Sequence, residues 1–340
     1  MAVVGVCLLR HGFHPFLAAQ GANAVTIGGY RTMTVTISVG SGKGGTGKTM
    51  VVANIGLLLA KTGRRVCLVD LDLGGADIHI LYGLFEPESR LTDFLNRKVD
   101  SLGVLAHTLD SFGGLQIIAG SGNTLRSANM SFQEKQRLLR GLSALDTDVL
   151  LLDVGAGTSY HALDFFMFSD IQICVTNPEP TAILDFYNFL QLATIRQALS
   201  SFLSQSEVGK ALKERSFQTL AEVFALAEEI QPGAREKIRQ ALASFNPLLI
   251  TNMAGSNAKI NQLKLRKLAA KYLGISIPDL GEIPYDKTVQ EALRAYLPVC
   301  EHSPKAPASL ALATISAKLE KVIDLFNRKR EHLQVADAGP

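Results

Sequence analysis

The chain has 340 residues, 47% of them apolar, with 34 basic and 31 acidic side chains and a net charge of +3. That length suits one large α/β unit or two small ones, with enough apolar surface for a sizeable core. The near balance of charge gives no overall pull toward nucleic acid, and no apolar run reaches the roughly 18 residues that a membrane-crossing helix needs.

The four cysteines, Cys7, Cys67, Cys174 and Cys300, lie far apart in sequence. There is no CxxC and no zinc-ligand spacing, and Cys67 and Cys174 sit in apolar runs and read as buried small hydrophobes. No disulfide framework is visible, which fits a reducing compartment. Residues 1–33 start apolar, but Arg10 and His11 interrupt the run. They read as a disordered extension, or one that precedes the natural start at Met33, rather than as a signal peptide.

From there the predicted elements alternate. Residues 35–40 (VTISVG) form a short β-branched run that ends in glycine, and read as a buried strand. An apolar helix is expected over 50–60, stopped by Gly63. Further strands are expected at 66–70, 115–120, 148–155, 171–176 and 247–251, most of them separated by helical patterns. Unbroken apolar strands alternating with helices predict an α/β fold with a mostly parallel sheet and helices on both faces. Ligands of such sheets bind beyond the carboxyl ends of the strands. The polar residues of interest sit there: 40–49, Asp70 and Asp72, Asp153, and Asn252. A charged helical stretch at about 195–245 contains two amphipathic segments joined at Gln231-Pro232-Gly233. It reads as a helical insertion into a single domain spanning 34–333, serving as a partner surface and dispensable for hydrolysis. A final helix is expected over 308–332, with 334–340 a disordered tail.

Residues 42–49 read Gly42-Lys43-Gly44-Gly45-Thr46-Gly47-Lys48-Thr49 and satisfy GxxxxGK[ST]. Glycines let successive backbone N–H groups curl around a phosphate, and the following helix adds its positive end. Lys48 is expected to reach the β and γ phosphates of ATP, and Thr49 to give its hydroxyl to Mg²⁺. Asp153 ends an apolar strand, LLLDVGAG, in the arrangement of a Walker B aspartate holding Mg²⁺ through water. Gly155 and Gly157 leave room for the next loop to approach the γ phosphate. Asp70 and Asp72, two apart at a strand end, are expected to point the same way and share one metal–water cluster.

The second lysine of the loop, Lys43 in KGGTGKT, marks the deviant Walker A motif, and here the chain resembles the MinD/ParA family of P-loop NTPases. The resemblance implies that Lys43 reaches across an ATP-dependent homodimer to the partner's phosphates, in the manner of an arginine finger. It implies that Asp72, in switch I, orients the attacking water near the metal. It implies that Asn252 reads the adenine edge, that the Ile283-Pro284 region lines the base, and that Glu179 touches a ribose or the dimer face. TNPEPTAILDFYNFL (176–190) and GEIPYDKTVQEALRAYLPV (281–299) resemble MinD and, more closely, the FlhG (FleN) subgroup. DLDLGGADIHILYGL (70–84) does so too, although Asp77 and His79 stand where that subgroup has asparagine and aspartate.

The function implied is an ATP-hydrolysing dimerisation switch that positions cellular structures, cytoplasmic and with an activating protein partner. A ParA-type partition ATPase is the alternative, and so is an Mrp/ApbC-like iron–sulfur carrier, which would need the CxxC that is missing. Nucleic acid is not an expected partner. In the final helix Leu312, Ile315, Leu319, Val322 and Phe326 recur at spacings of three and four, followed by Arg328, Lys329 and Arg330. This stripe suits either peripheral contact with the inner membrane or packing on the sheet, and packing is the favoured reading.

Overall fold

The structure is a computed structural model. It describes residues 34–72, 75, 77–120, 130–255 and 262–337, with the backbone alone for 333–337. The reading of 1–33 therefore lies outside the described residues, as does that of 338–340.

In chain order the elements are β1 (Val35–Gly40), α1 (Lys48–Lys61), β2 (Val66–Leu71), a 3₁₀ turn (Ile78–Tyr82), α2 (Leu91–Leu95), β3 (His107–Leu109), β4 (Leu115–Ile118), α3 (Phe132–Ser143), β5 (Val149–Val154), α4 (Tyr160–Phe168) and β6 (Ile171–Thr176). Then follow α5 (Pro180–Ser200), α6 (Glu207–Lys213), α7 (Leu220–Ile230), α8 (Ala234–Ala243), β7 (Leu248–Ala254), α9 (Gln262–Leu268), β8 (Asp279–Pro284), α10 (Lys287–Arg294), α11 (Val299–His302) and α12 (Pro307–Asp337). The described strands form one eight-stranded sheet in the order β3-β4-β2-β5-β1-β6-β7-β8. All pairings are parallel except β3 with β4 at the edge. This is the α/β architecture expected from the alternation of apolar runs.

Two strands were not foreseen. β3 has three residues, none of them buried, so it carries no apolar signal. β8 reads DLGEIP, with a glycine and a proline, and buries only Leu280 and Ile283. Its Gly281 has φ +155°, and a Cβ there would stand 2.7 Å from Ile315 Cγ1, so glycine is what lets α12 lie close on the sheet.

The two faces of the sheet bury separate cores, because side chains alternate along each strand. One face carries Val35, Ile37, Val39, Leu68 and Leu151 against α1 and α12. The other carries Val69, Leu71, Leu150, Leu152 and Cys174 against α3, α4, α5 and the helices beyond α5. Those added helices are not an appendage. α5 runs to Ser200, and α7 and α8 bring Val223, Leu226, Ala227, Ile238 and Leu242 into the same core as Phe186, Phe189 and Leu190. A segment dispensable for hydrolysis was expected. Removing α7 and α8 would uncover the outer face of α5.

The apolar stripe of the last helix packs inward. Leu312, Ile315, Leu319 and Ile323 are buried in the α1 core, with Val322 and Phe326 packed against it. Arg330 donates to Asp170 Oδ1 at 2.5 Å and to the Thr34 carbonyl at 3.2 Å, and stacks on Phe326. The helix runs on to Asp337, into the stretch read from sequence as a tail. The face offered for lipid is therefore already covered by protein. A core role for it predicts that Leu319→Ala lowers the unfolding free energy by about 2–5 kcal/mol in urea titrations. A loss below about 0.5 kcal/mol is the surface value and would contradict it.

Candidate functional site

The carboxyl ends of the central strands meet where the sequence put its polar residues. β5 lies between β2 and β1, with Asp70 in register with Asp153 and Val39 also opposite Asp153. The loop 42–49 leaves β1 and enters α1 at Lys48. Gly45 and Gly47 take φ of +79° and +83°, a region that side chains with a Cβ rarely adopt. At Gly42 the constraint is space, since a Cβ there would stand 2.1 Å from the Asp185 carbonyl of α5. Around Gly44 and Gly45 no atom would meet a Cβ within 4 Å, so that side of the loop is open. The loop is also tied to the segment after β5, because Gly157 donates its N–H to the Ser41 carbonyl at 3.0 Å.

Lys48 turns inward and forms an ion pair with Asp153 Oδ1. Both groups are almost fully buried, at 6% and 1% exposure. Asp153 Oδ2 is equally buried and has no hydrogen-bond partner. Thr49 stands close enough to the Asp153 carboxylate to act on its charge. Burial pushes the Asp153 carboxyl above the usual range, and the charge of Asp72 adds to this, while Lys48 and Thr49 pull it back. An unsatisfied buried carboxylate oxygen beside a hydroxyl is what a hard divalent cation requires.

Asp70 and Asp72 differ in setting. Asp70 is fully buried and caps the chain after β2, accepting from Asp72 N at 3.1 Å and from Ile78 N at 3.1 Å. Burial, with the neighbouring Asp153 charge, pushes its carboxyl up to about 8. Asp72 is only partly buried, with its Oδ1 beside Gly155, where a Cβ would approach it to 3.4 Å. The alternation of a strand accounts for the pair only as far as Leu71, where β2 ends.

Lys43 lies within its own chain against α5, with Nζ at 2.9 Å from Glu179 Oε2 and 2.8 Å from Thr181 Oγ1. Thr181 was not anticipated; its position two residues beyond Glu179 in the first turn of α5 was the available signal. Asn252 lies inside β7 rather than after it. Its Nδ2 donates to the Thr46 carbonyl at 2.8 Å, a contact the sequence does not reveal because 206 residues separate them. Pro284 ends β8 opposite Ala254, close by along the same pair of strands.

A glycine loop on β1, a buried lysine at the head of α1 and an acid at the end of β5 define a P-loop nucleoside triphosphatase. Comparison with known proteins narrows the class. The ParA family model, described as NUBPL iron-transfer P-loop NTPase, matches residues 32–198. The antiactivator FleN of Pseudomonas aeruginosa is 28% identical over 288 residues, covering 84% of this chain and 85% of that protein. The flagellum site-determining protein YlxH of Helicobacter pylori is 27% identical over 218 residues, 60% of this chain and 70% of that one. Among solved structures, the septum site-determining protein MinD of Pyrococcus horikoshii with Mg-ADP matches with a TM-score of 0.60 at 23% identity, covering 85% of this chain and 97% of that one. The chain is similar to MinD/ParA-type P-loop NTPases over most of its length, and proteins of that family are ATPases. No described helix is long and apolar enough to cross a membrane.

Two histidines lie in the elements that follow β2 and β5. His79, in the 3₁₀ turn behind Asp70, is held below the ordinary pKa by burial and then by Arg90, whose guanidinium lies 3.5 Å from Nε2. His161, early in α4, is lowered by burial and then by Lys135, with Asp164 opposing. In the unfolded chain both titrate near pH ~6.5. Below that value the unfolded chain takes up protons that the folded chain resists, so stability falls as the pH drops through it. Asp70, with its carboxyl raised to about 8, works in the opposite direction in parent and variant alike. The expected outcome is therefore a difference between the two: on going from about pH 7.5 to about pH 5.5 the melting temperature changes less favourably in the parent than in the combined His79→Gln and His161→Gln variant. The same change in parent and variant would assign the acid sensitivity to other groups.

Proposed function

We propose that this chain is an ATP-driven dimerisation switch of the MinD/FlhG type, acting in the cytoplasm on the placement of cell-surface or division structures. The observation that carries the reading is the buried pair of Lys48 and Asp153, with the half-buried Thr49 beside it, at the foot of the glycine loop. The likeness to FleN over most of both chains supports the subgroup.

Lys48 would leave Asp153 for the β and γ phosphates of ATP, which offer it more negative charge at the same depth. That exchange frees Oδ1 of Asp153. Thr49 and Asp153 would then hold Mg²⁺, with Asp72 at its edge. The unpartnered Asp153 Oδ2 and the adjacent Thr49 hydroxyl fit such an ion. Bound there, Mg²⁺ supplies neutralisation of the phosphate oxygens as charge shifts during transfer. Asp72, partly exposed beside Gly155, would orient the attacking water. Gly42, Gly44, Gly45, Thr46 and Gly47 would give backbone N–H groups to the phosphates, and Asn252 and Pro284 would border the adenine.

Lys43 is the proposed cross-subunit residue. Its pair with Glu179 is partly exposed, at 28% and 63%, and such pairs are worth little, so a partner's phosphates can draw it away. The homodimer in ATP and an activating protein partner are part of this proposal; contact with the inner membrane has lost its apolar stripe to the core. An iron–sulfur carrier lacks support, since the sequence has no CxxC and the three described cysteines are buried.

Light scattering with and without ATP and Mg²⁺ tests the switch, and a chain that stays monomeric in ATP overturns it. Lys48→Ala is expected to abolish ATP binding. Asp72→Ala is expected to keep binding and dimerisation while turnover falls by roughly 10²-fold or more; unchanged turnover would remove Asp72 from the reaction. Lys43→Ala is expected to bind ATP, to fail to dimerise, and to lose about 10³-fold in turnover. Intact ATP-dependent dimers of that variant would refute the cross-subunit role.

A further inference from the structure

The contact between Asn252 and the glycine loop has a geometry that base recognition does not require. Asn252 is 2% exposed, and its Nδ2 sits on the Thr46 carbonyl at 2.8 Å. A Cβ on Gly47 would stand 2.1 Å from that same nitrogen, so the amide fills the space a side chain would need. The next carbonyl, that of Gly47, accepts from Val51 N at 3.0 Å in the first turn of α1. The Thr46–Gly47 peptide is thus fixed at its own carbonyl, and the next peptide is fixed at the Gly47 carbonyl. No described peptide bond is cis, and in a trans peptide the C=O and the N–H point in opposite directions. Holding the Thr46 carbonyl toward β7 therefore turns the Gly47 N–H away from β7, toward the hollow of the loop.

The strand is shaped for this contact. The register between β7 and β8 shifts between Thr251 and Ala254, and Met253 takes a left-handed φ of +54°. A bulge of this kind re-aims a side chain that a regular ladder would direct elsewhere. A non-glycine residue held left-handed is strained, and such strain persists where the surroundings fix it.

We propose that Asn252 is a positioning residue for the phosphate loop: by pinning the Thr46 carbonyl it aims the Gly47 N–H at the phosphate chain, whether or not a base is present. This rests on the reading that the loop binds ATP, and it adds that the phosphates alone depend on Asn252. A residue that only reads adenine would be invisible to a ligand without a base.

The test compares the full-length parent with Asn252→Ala and with Asn252→Asp, which keeps the shape but loses the donor. Two measurements are made. Magnesium tripolyphosphate is competed against a fluorescent ATP analogue, and hydrogen–deuterium exchange is followed over residues 42–48 in the nucleotide-free protein. Both variants are expected to bind tripolyphosphate about tenfold more weakly, the size of one lost hydrogen bond. Both are expected to exchange faster in the loop while exchange in the sheet is unchanged. Asn252→Asp carries the test where Asn252→Ala does not fold, and loop exchange decides alone where tripolyphosphate does not compete. Parent-like loop exchange and parent-like tripolyphosphate binding, even with weakened ATP binding, would leave Asn252 as a base reader only and overturn the proposal. Neither measurement depends on dimerisation or turnover, so the switch can fail while this inference stands.

Discussion

The buried pair of Lys48 and Asp153 sets the terms for everything around it. Two charges held at a few per cent exposure are stable only together, because either alone would carry an uncompensated desolvation penalty. The pair joins the first residue of α1 to the end of β5 and so fixes how the glycine loop lies over the sheet. It also limits its neighbours. Asp70, in register with Asp153 on the next strand, cannot comfortably carry a second negative charge there, and its carboxyl is pushed upward. Asp70 therefore serves as a cap for the chain leading to Ile78, which leaves Asp72 as the accessible acid. In the proposed function a polyphosphate would take over the lysine, and the freed carboxylate would face the metal.

The loop is held from four directions by different parts of the chain. α5 closes on Gly42 through the Asp185 carbonyl, β7 reaches Thr46 and Gly47 through Asn252, the segment after β5 bonds Ser41, and the start of α5 holds Lys43. A ligand that shifts the loop must disturb these contacts together. Those to α5 lead outward, since α5 carries α7 and α8 in a common core. The added helices thus stand one layer from the glycine loop.

On the opposite face α12 completes the fold. It buries its apolar stripe against α1 and β8, with Gly281 allowing close approach and Lys318 donating to the Leu280 carbonyl at 2.9 Å. A helix with such a stripe can face lipid or protein, and sequence spacing is the same in both cases. What decides between them is whether a complementary apolar surface lies within reach, and α1, apolar on nearly every side, provides it.

The sequence by itself determined the sheet's central strands, the phosphate loop and the acid at the end of β5. These depend on local features: runs of β-branched residues, glycines where φ must be positive, and a carboxylate where an apolar strand stops. Helices α7 and α8 were legible for the same reason, through their apolar periodicity and the Gln231-Pro232-Gly233 break. β3 and β8 were not, because a short half-exposed edge and a strand interrupted by glycine and proline have no period to read. The tertiary structure alone decided that Asp70 and Asp72 part company, that Lys43 rests on Glu179 and Thr181, that Asn252 grips Thr46, and that the last helix spends its apolar face inside. Each of the last three is a contact between segments far apart in the chain. Its partner is chosen by packing and by the cost of leaving a buried polar group unpaired, and no local pattern encodes that choice.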